Sequence, residues 1–154
     1  MSRRIEDVIN DIFKENTQRN ALDFIAHLRE DEGVSISTDK DDDRRVWIRC
    51  EDKLVCEMQL EASEDSPGNW TVWFYGDCIG YEDSPVDERI KAVAWTSITP
   101  CGNCGAECAP GRRKTIFGKA FDNVCQSTLA FENPNTGTLA CIKKIVDIFT
   151  TDNV

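Results

Sequence analysis

Apolar residues at Ile5, Val8, Ile9, Ile12 and Phe13 fall three or four positions apart, and Leu22, Phe24, Ile25 and Leu28 repeat that spacing beyond a polar run at residues 16–20. This periodicity predicts two amphipathic helices broken at the polar run, the second ending before Gly33. From Val34 the period changes to two. Val34 and Ile36, then Val46, Ile48 and Cys50, then Leu54, Cys56, Met58 and Leu60, then Trp70, Val72 and Phe74 read as the buried sides of four strands. A short charged loop at residues 38–44, the tight Glu51-Asp52-Lys53 connection and a longer one containing Pro67-Gly68 suit an antiparallel meander.

Beyond the meander, Ser84-Pro85 carries the signature of a helix start, with Ser84 as N-cap, Asp87 and Glu88 in the first turn, and Val86, Ile90, Val93 and Ala94 along one side. A further strand is expected over residues 124–131. A closing helix follows, with Leu139, Ile142, Ile145, Val146 and Phe149 inward. The expected architecture is one α+β domain over residues 1–154, in which helices pack on an antiparallel meander sheet of four to five strands, with a Cys-rich C-terminal loop. Residues 1–32 form its helical N-terminal part, residues 33–95 the meander and one helix, and residues 96–154 the Cys-rich loop, last strand and closing helix.

A chain of 154 residues is long enough to bury a core without disulfides. The first 20 residues lack the apolar and small-residue pattern of a secretory leader, and no stretch approaches the roughly 20 apolar residues of a membrane span. A cytoplasmic setting is the expectation, and there cysteines serve as buried thiols, metal ligands or redox groups rather than as a disulfide framework. The formal charge of -10 is uneven, with -11 on residues 1–100 and +1 on the remainder. An acidic body repels phosphate backbones and anionic membranes, so neither nucleic acid nor membrane is an expected partner; an unidentified small molecule or protein is.

The densest chemistry is the run Cys101-Gly-Asn-Cys104-Gly-Ala-Glu-Cys108, followed by Cys125. Its spacing, C-x2-C-x3-C-x16-C, can place four thiolates around one tetrahedral zinc ion, with backbone amides of the tight CxxCG turn directed at the sulfurs. Such a staple would fix the basic loop at residues 111–119. Three alternatives stand beside it. The thiols could be small residues with no shared partner; they could hold an iron–sulfur cluster, although the ferredoxin spacing is not matched; or Cys101 and Cys104 could form a redox pair, although no helix start follows them to depress a thiol pKa. Cys50, Cys56 and Cys141 lie on apolar stripes and read as core residues, while Cys78 is ambiguous.

Two further constellations are candidates. Arg112, Arg113, Lys114 and Lys119, near Gly111 and Gly118, could hold a phosphate or carboxylate, or could simply offset the acidic body in cis. Trp47, Trp73 and Tyr75 alternate along the outward side of the strands and could line a small-ligand pocket, or form a second apolar layer. Nucleotide-binding and hydrolase motifs are absent from the sequence. A single histidine, His27, sits one step from the stripe of its helix, so catalysis finds little support.

The segment Lys114-Thr-Ile-Phe-Gly-Lys-Ala-Phe-Asp-Asn-Val-Cys125, following the Cys-Gly-x-Cys-Gly start, resembles a family of small uncharacterised bacterial proteins with a Cys-rich C-terminal segment. The resemblance covers the last third of the chain and implies that Cys101, Cys104, Cys108 and Cys125 act together; it implies no activity. The reading that results is a binding or regulatory domain with a structural four-cysteine zinc site.

Overall fold

Alternation along the strands becomes a set of continuous rows once the strands pair. A computed structural model describes residues 4–61, 68–74, 87–101 and 111–151, except for the side chains of Gln126, Ser127, Phe149 and Thr151. Strands β1 (Val34–Thr38), β2 (Arg45–Cys50), β3 (Lys53–Glu61) and β4 (Asn69–Phe74) form the expected antiparallel meander. The long strand β7 (Lys119–Glu132) extends it by pairing with β4. Val46, Met58, Val72 and Phe131 then stand in one row, and Ile48, Cys56, Phe74 and Leu129 in the next. All eight are at most 3% exposed, so this face is the sheet's share of the core.

Four helices among the described residues supply the rest: α1 (Ile5–Ile12), α2 (Glu15–Arg29), α3 (Glu88–Thr96) and α4 (Thr136–Thr151). Helix α2 packs on α1, α4, β1 and β4, while α4 also meets α3 and β3. Phe24 of α2 lies against Trp70 of β4, with ring centroids 5.8 Å apart. An α+β domain with an antiparallel sheet is therefore what the pattern predicted. No described helix is long and apolar enough to cross a membrane.

Four expectations need correction. The sheet has seven strands among the described residues, not four to five. A three-residue strand, β5 (Ile98–Pro100), and β6 (Arg112–Ile116) both pair with β7, so residues 111–119 belong to a β-hairpin rather than a loop. The hairpin turns at Phe117 (φ 47°) and Gly118 (φ 90°), the pair of positive angles that matches strand twist in a two-residue turn. Glu51 (φ 50°) and Asp52 (φ 71°) do the same between β2 and β3.

The polar run at residues 16–20 does not break the helices, because it lies inside α2. Thr17 and Ala21 continue the buried stripe of Phe24, Ile25 and Leu28, and the actual break is the extended Phe13 and Lys14. Helix α3 begins at Glu88 rather than at Pro85. Asp87 is its N-cap, in extended conformation, with a side-chain oxygen accepting from Ile90 N–H at 2.9 Å. Ser84 and Pro85 themselves lie outside the described residues.

Candidate functional site

Cys101 and Cys125 come together at one corner of the sheet, where β5 ends against β7. Pro100 pairs with Val124, and the Cys101 amide donates to Asn123 O at 2.8 Å, which brings Cys101 alongside the segment carrying Cys125. Both cysteines are of intermediate exposure. The ladder is irregular here. Between the Ile98–Leu129 and Pro100–Val124 pairs the chain takes two steps along β5 but five along β7, so residues 125–128 bulge from the strand. Asn123 (φ 56°) turns the chain into the irregularity, and Thr128 Oγ1 donates to Cys125 O at 3.1 Å, holding it closed.

The described chain leaves this corner at Cys101 and re-enters it at Gly111. A Cβ placed on Gly111 would fall 2.6 Å from Cys101 Cβ and 2.4 Å from Asn123 Oδ1, so only glycine fits where the two ends meet. Cys104 and Cys108 lie between these ends, outside the described residues, as does Cys78. Among the described residues no three His, Cys, Asp or Glu side chains form a metal-sized cluster.

The four cations of the hairpin do not converge on a shared point. Arg113 lies 3.6 Å from Asp122 with both side chains exposed, Lys114 Nζ donates to Thr128 Oγ1 at 3.1 Å, and Lys119 Nζ sits 5.3 and 5.4 Å from the rings of Trp95 and Phe121. Arg112 is exposed at the strand start. The hairpin is anchored by apolar burial, with Ile116 and Phe117 at most 2% exposed and Trp95 Nε1 donating to Ile116 O at 2.7 Å.

On the outer face of the sheet, Trp47, Glu57 and Trp73 occupy one row across β2, β3 and β4. The two indoles are half-buried and flank a carboxylate that is only 4% exposed. Arg45 Nε donates to Glu57 Oε1, and the Arg45 and Arg49 guanidinium carbons lie 5.0 and 6.0 Å from the Trp47 ring. Tyr75 lies outside the described residues. Alternation along the strands puts Glu57 on the same face as the two tryptophans, but its place between them depends on strand register.

A cleft of about 300 Å³ that the sequence did not suggest lies between the N-terminal turn of α2 and the segment joining β7 to α4. His27 of α2 is not part of it; its Nε2 lies 2.9 Å from Asp147 of α4, an interhelical tie. No protein family, curated protein or solved structure matches the chain.

Proposed function

We propose that the protein is a binding domain in which Cys101, Cys104, Cys108 and Cys125 hold one structural zinc ion, and that the segment between Cys101 and Gly111 is the recognition element this ion orders. The observation that carries the reading is the convergence of Cys101, Gly111 and Cys125 at the end of β5. Cys104 is three residues from Cys101 and Cys108 three from Gly111, a reach of at most ~11 Å each for extended chain. All four sulfurs can therefore meet at the corner, where zinc would take tetrahedral thiolate ligands at roughly 2.3 Å. The bulge in β7 supports the same reading, since an irregular strand beside a site re-aims a side chain.

Metal content of protein purified without chelator, with a count of titratable thiols, tests this. About one zinc per chain, lost in both Cys101→Ser and Cys125→Ser, is expected. Metal-free protein in which Cys101 and Cys104 cycle reversibly between dithiol and disulfide would instead support thiol-redox chemistry. A second reading, a small-ligand sensor on the outer sheet face, is favoured by the Trp47, Glu57 and Trp73 row. A ligand there would stack on the indoles and compete for Arg45; quenching of Trp fluorescence that is abolished by Trp47→Ala is its signature.

A further inference from the structure

At the edge of the sheet far from the thiolate corner, β1 has β2 as its one neighbour among the described strands. The β1–β2 register is regular, and the bonds just beyond its two ends fix which backbone groups it uses. The Glu51 amide donates to Gly33 O at 3.3 Å, and the Asp39 amide donates to Arg45 O at 3.0 Å. Antiparallel neighbours bond through every second residue, so Ser35 and Ser37 direct their amides and carbonyls at β2, whereas Ile36 and Thr38 direct theirs outward. Among the described residues nothing bonds these outward groups, which leaves two donors and two acceptors in a row along the edge.

The opposite edge is blunted: β5 is three residues long and ends in Pro100, and β6 carries Arg112, Arg113 and Lys114. Strand β1, with the sequence Val-Ser-Ile-Ser-Thr, has no charge, proline or bulge. Its Val34 and Ile36 are half-buried and pack against the core, forming an apolar margin that the side chains of an added strand would cover. The flanks select the occupant. Residues 30–43 hold seven Asp and Glu and one Lys, all outside the strand, with Asp31 and Glu32 exposed at one end and Asp41 and Asp42 at the other. Two copies paired through β1, in either direction, would set acidic ends against acidic ends, so the charge favours a different partner. We propose that β1 is a docking edge for an extended segment of another protein, uncharged in its middle and carrying lysine or arginine at both ends. The outward amides and carbonyls would pair with its backbone, Val34 and Ile36 would meet its alternate side chains, and the acidic flanks would hold its basic ends.

The test is titration of the ¹⁵N-labelled protein with a synthetic peptide that alternates valine and threonine between lysine-arginine ends. Saturable shifts centred on the amides of Ile36 and Thr38 are expected. Two control peptides should bind about tenfold more weakly or worse: one with glutamate ends, and one of unchanged charge that is N-methylated throughout its middle and so cannot donate to the edge. In the protein, Glu32→Lys combined with Asp41→Lys should weaken the basic-ended peptide about tenfold and strengthen the glutamate-ended one. Both positions are exposed, so a folded variant is expected, and the control peptides decide the matter on the unaltered protein in any case. Equal affinity for the N-methylated peptide would mean attraction by charge alone and would overturn the proposal. So would shifts centred away from β1, no saturable response, or β1 shifts that depend on protein concentration without peptide, which would make a second copy the occupant.

Discussion

Gly68 and Gly118 have nearly the same backbone, with φ of 95° and 90°, but opposite surroundings, which makes their alanine variants a controlled pair. At Gly118 a Cβ meets nothing within 4 Å, so Gly118→Ala should cost only the conformational strain of a left-handed residue, about 1–2 kcal/mol. At Gly68 the same Cβ would lie 2.3 and 2.7 Å from two ring carbons of Phe13 and 3.3 Å from Glu61 O. Phe13 is 1% exposed and closes the gap between α1 and α2, so its ring cannot swing aside without disturbing the core. Overpacking of this kind adds about 1–3 kcal/mol, bringing Gly68→Ala to roughly 3–4 kcal/mol. The two variants should thus differ by about 2 kcal/mol, or roughly 4–8 °C in Tm for a chain of this size. Urea unfolding followed by tryptophan fluorescence reads it directly, since Trp70 lies two residues from Gly68. A double-mutant cycle with Phe13→Ala should recover most of the difference, because the second substitution removes the atoms being struck. Equal losses at Gly68 and Gly118, or no coupling to Phe13, would refute the claim that Gly68 is packed directly on Phe13.

Three further outcomes are expected. Arg29 holds the Glu6 carboxyl with bonds of 2.8 and 2.9 Å and lowers its pKa from 4.5 to about 2, so the pair's stabilisation is complete above pH 4.5 and is lost as pH falls through about 2. Discounted for solvent around the half-exposed Arg29, it contributes about 1 kcal/mol; Glu6→Gln should show that deficit at pH 7 and none near pH 2, and a deficit independent of pH would exclude the linkage. Arg45→Ala should cost about 2–3 kcal/mol because it strips a guanidinium from the buried Glu57 carboxylate, whereas Arg113→Ala, at an exposed pair, should stay within about 0.5 kcal/mol in the same denaturant titration. Gly111→Ala should reduce zinc retention by wedging apart Cys101 and Asn123, and unchanged metal content would argue against the corner as the ligand base.

The meander was legible because each of its strands carries at least two apolar residues two positions apart and its partner supplies the matching row, as Ile48, Cys56 and Phe74 show. Strand β6 was not, because Arg112, Arg113 and Lys114 are cations and its single buried side chain, Ile116, has no period to display. Strand β5 has three residues, fewer than any alternation needs. The start of α2 was hidden since its stripe continues through Thr17 and Ala21, residues too small or polar to register as apolar. Similar reasons divide the sites. A local motif announces Cys101, but the approach of Cys101 to Asn123 and the joining of residues 16–20 to 133–136 are long-range events written in no local pattern.

The hairpin changes what the proposed zinc ion at the cysteine corner would have to do. Had residues 111–119 been an apolar-poor loop, removing the metal would release it. Instead Ile116 and Phe117 are buried in the core, Trp95 donates to Ile116 O, and Lys114 bonds Thr128 across to β7. Burying two such side chains stabilises by about 3–6 kcal/mol before any hydrogen bond is counted, enough to hold a short hairpin without a staple. Chelation of the metal-bearing protein should therefore leave far-UV circular dichroism and amide protection in β6 and β7 nearly unchanged, with the response confined to the segment between Cys101 and Gly111. Loss of protection throughout the hairpin on chelation would reverse the order of dependence, making the metal the foundation of this edge of the sheet rather than an addition to it.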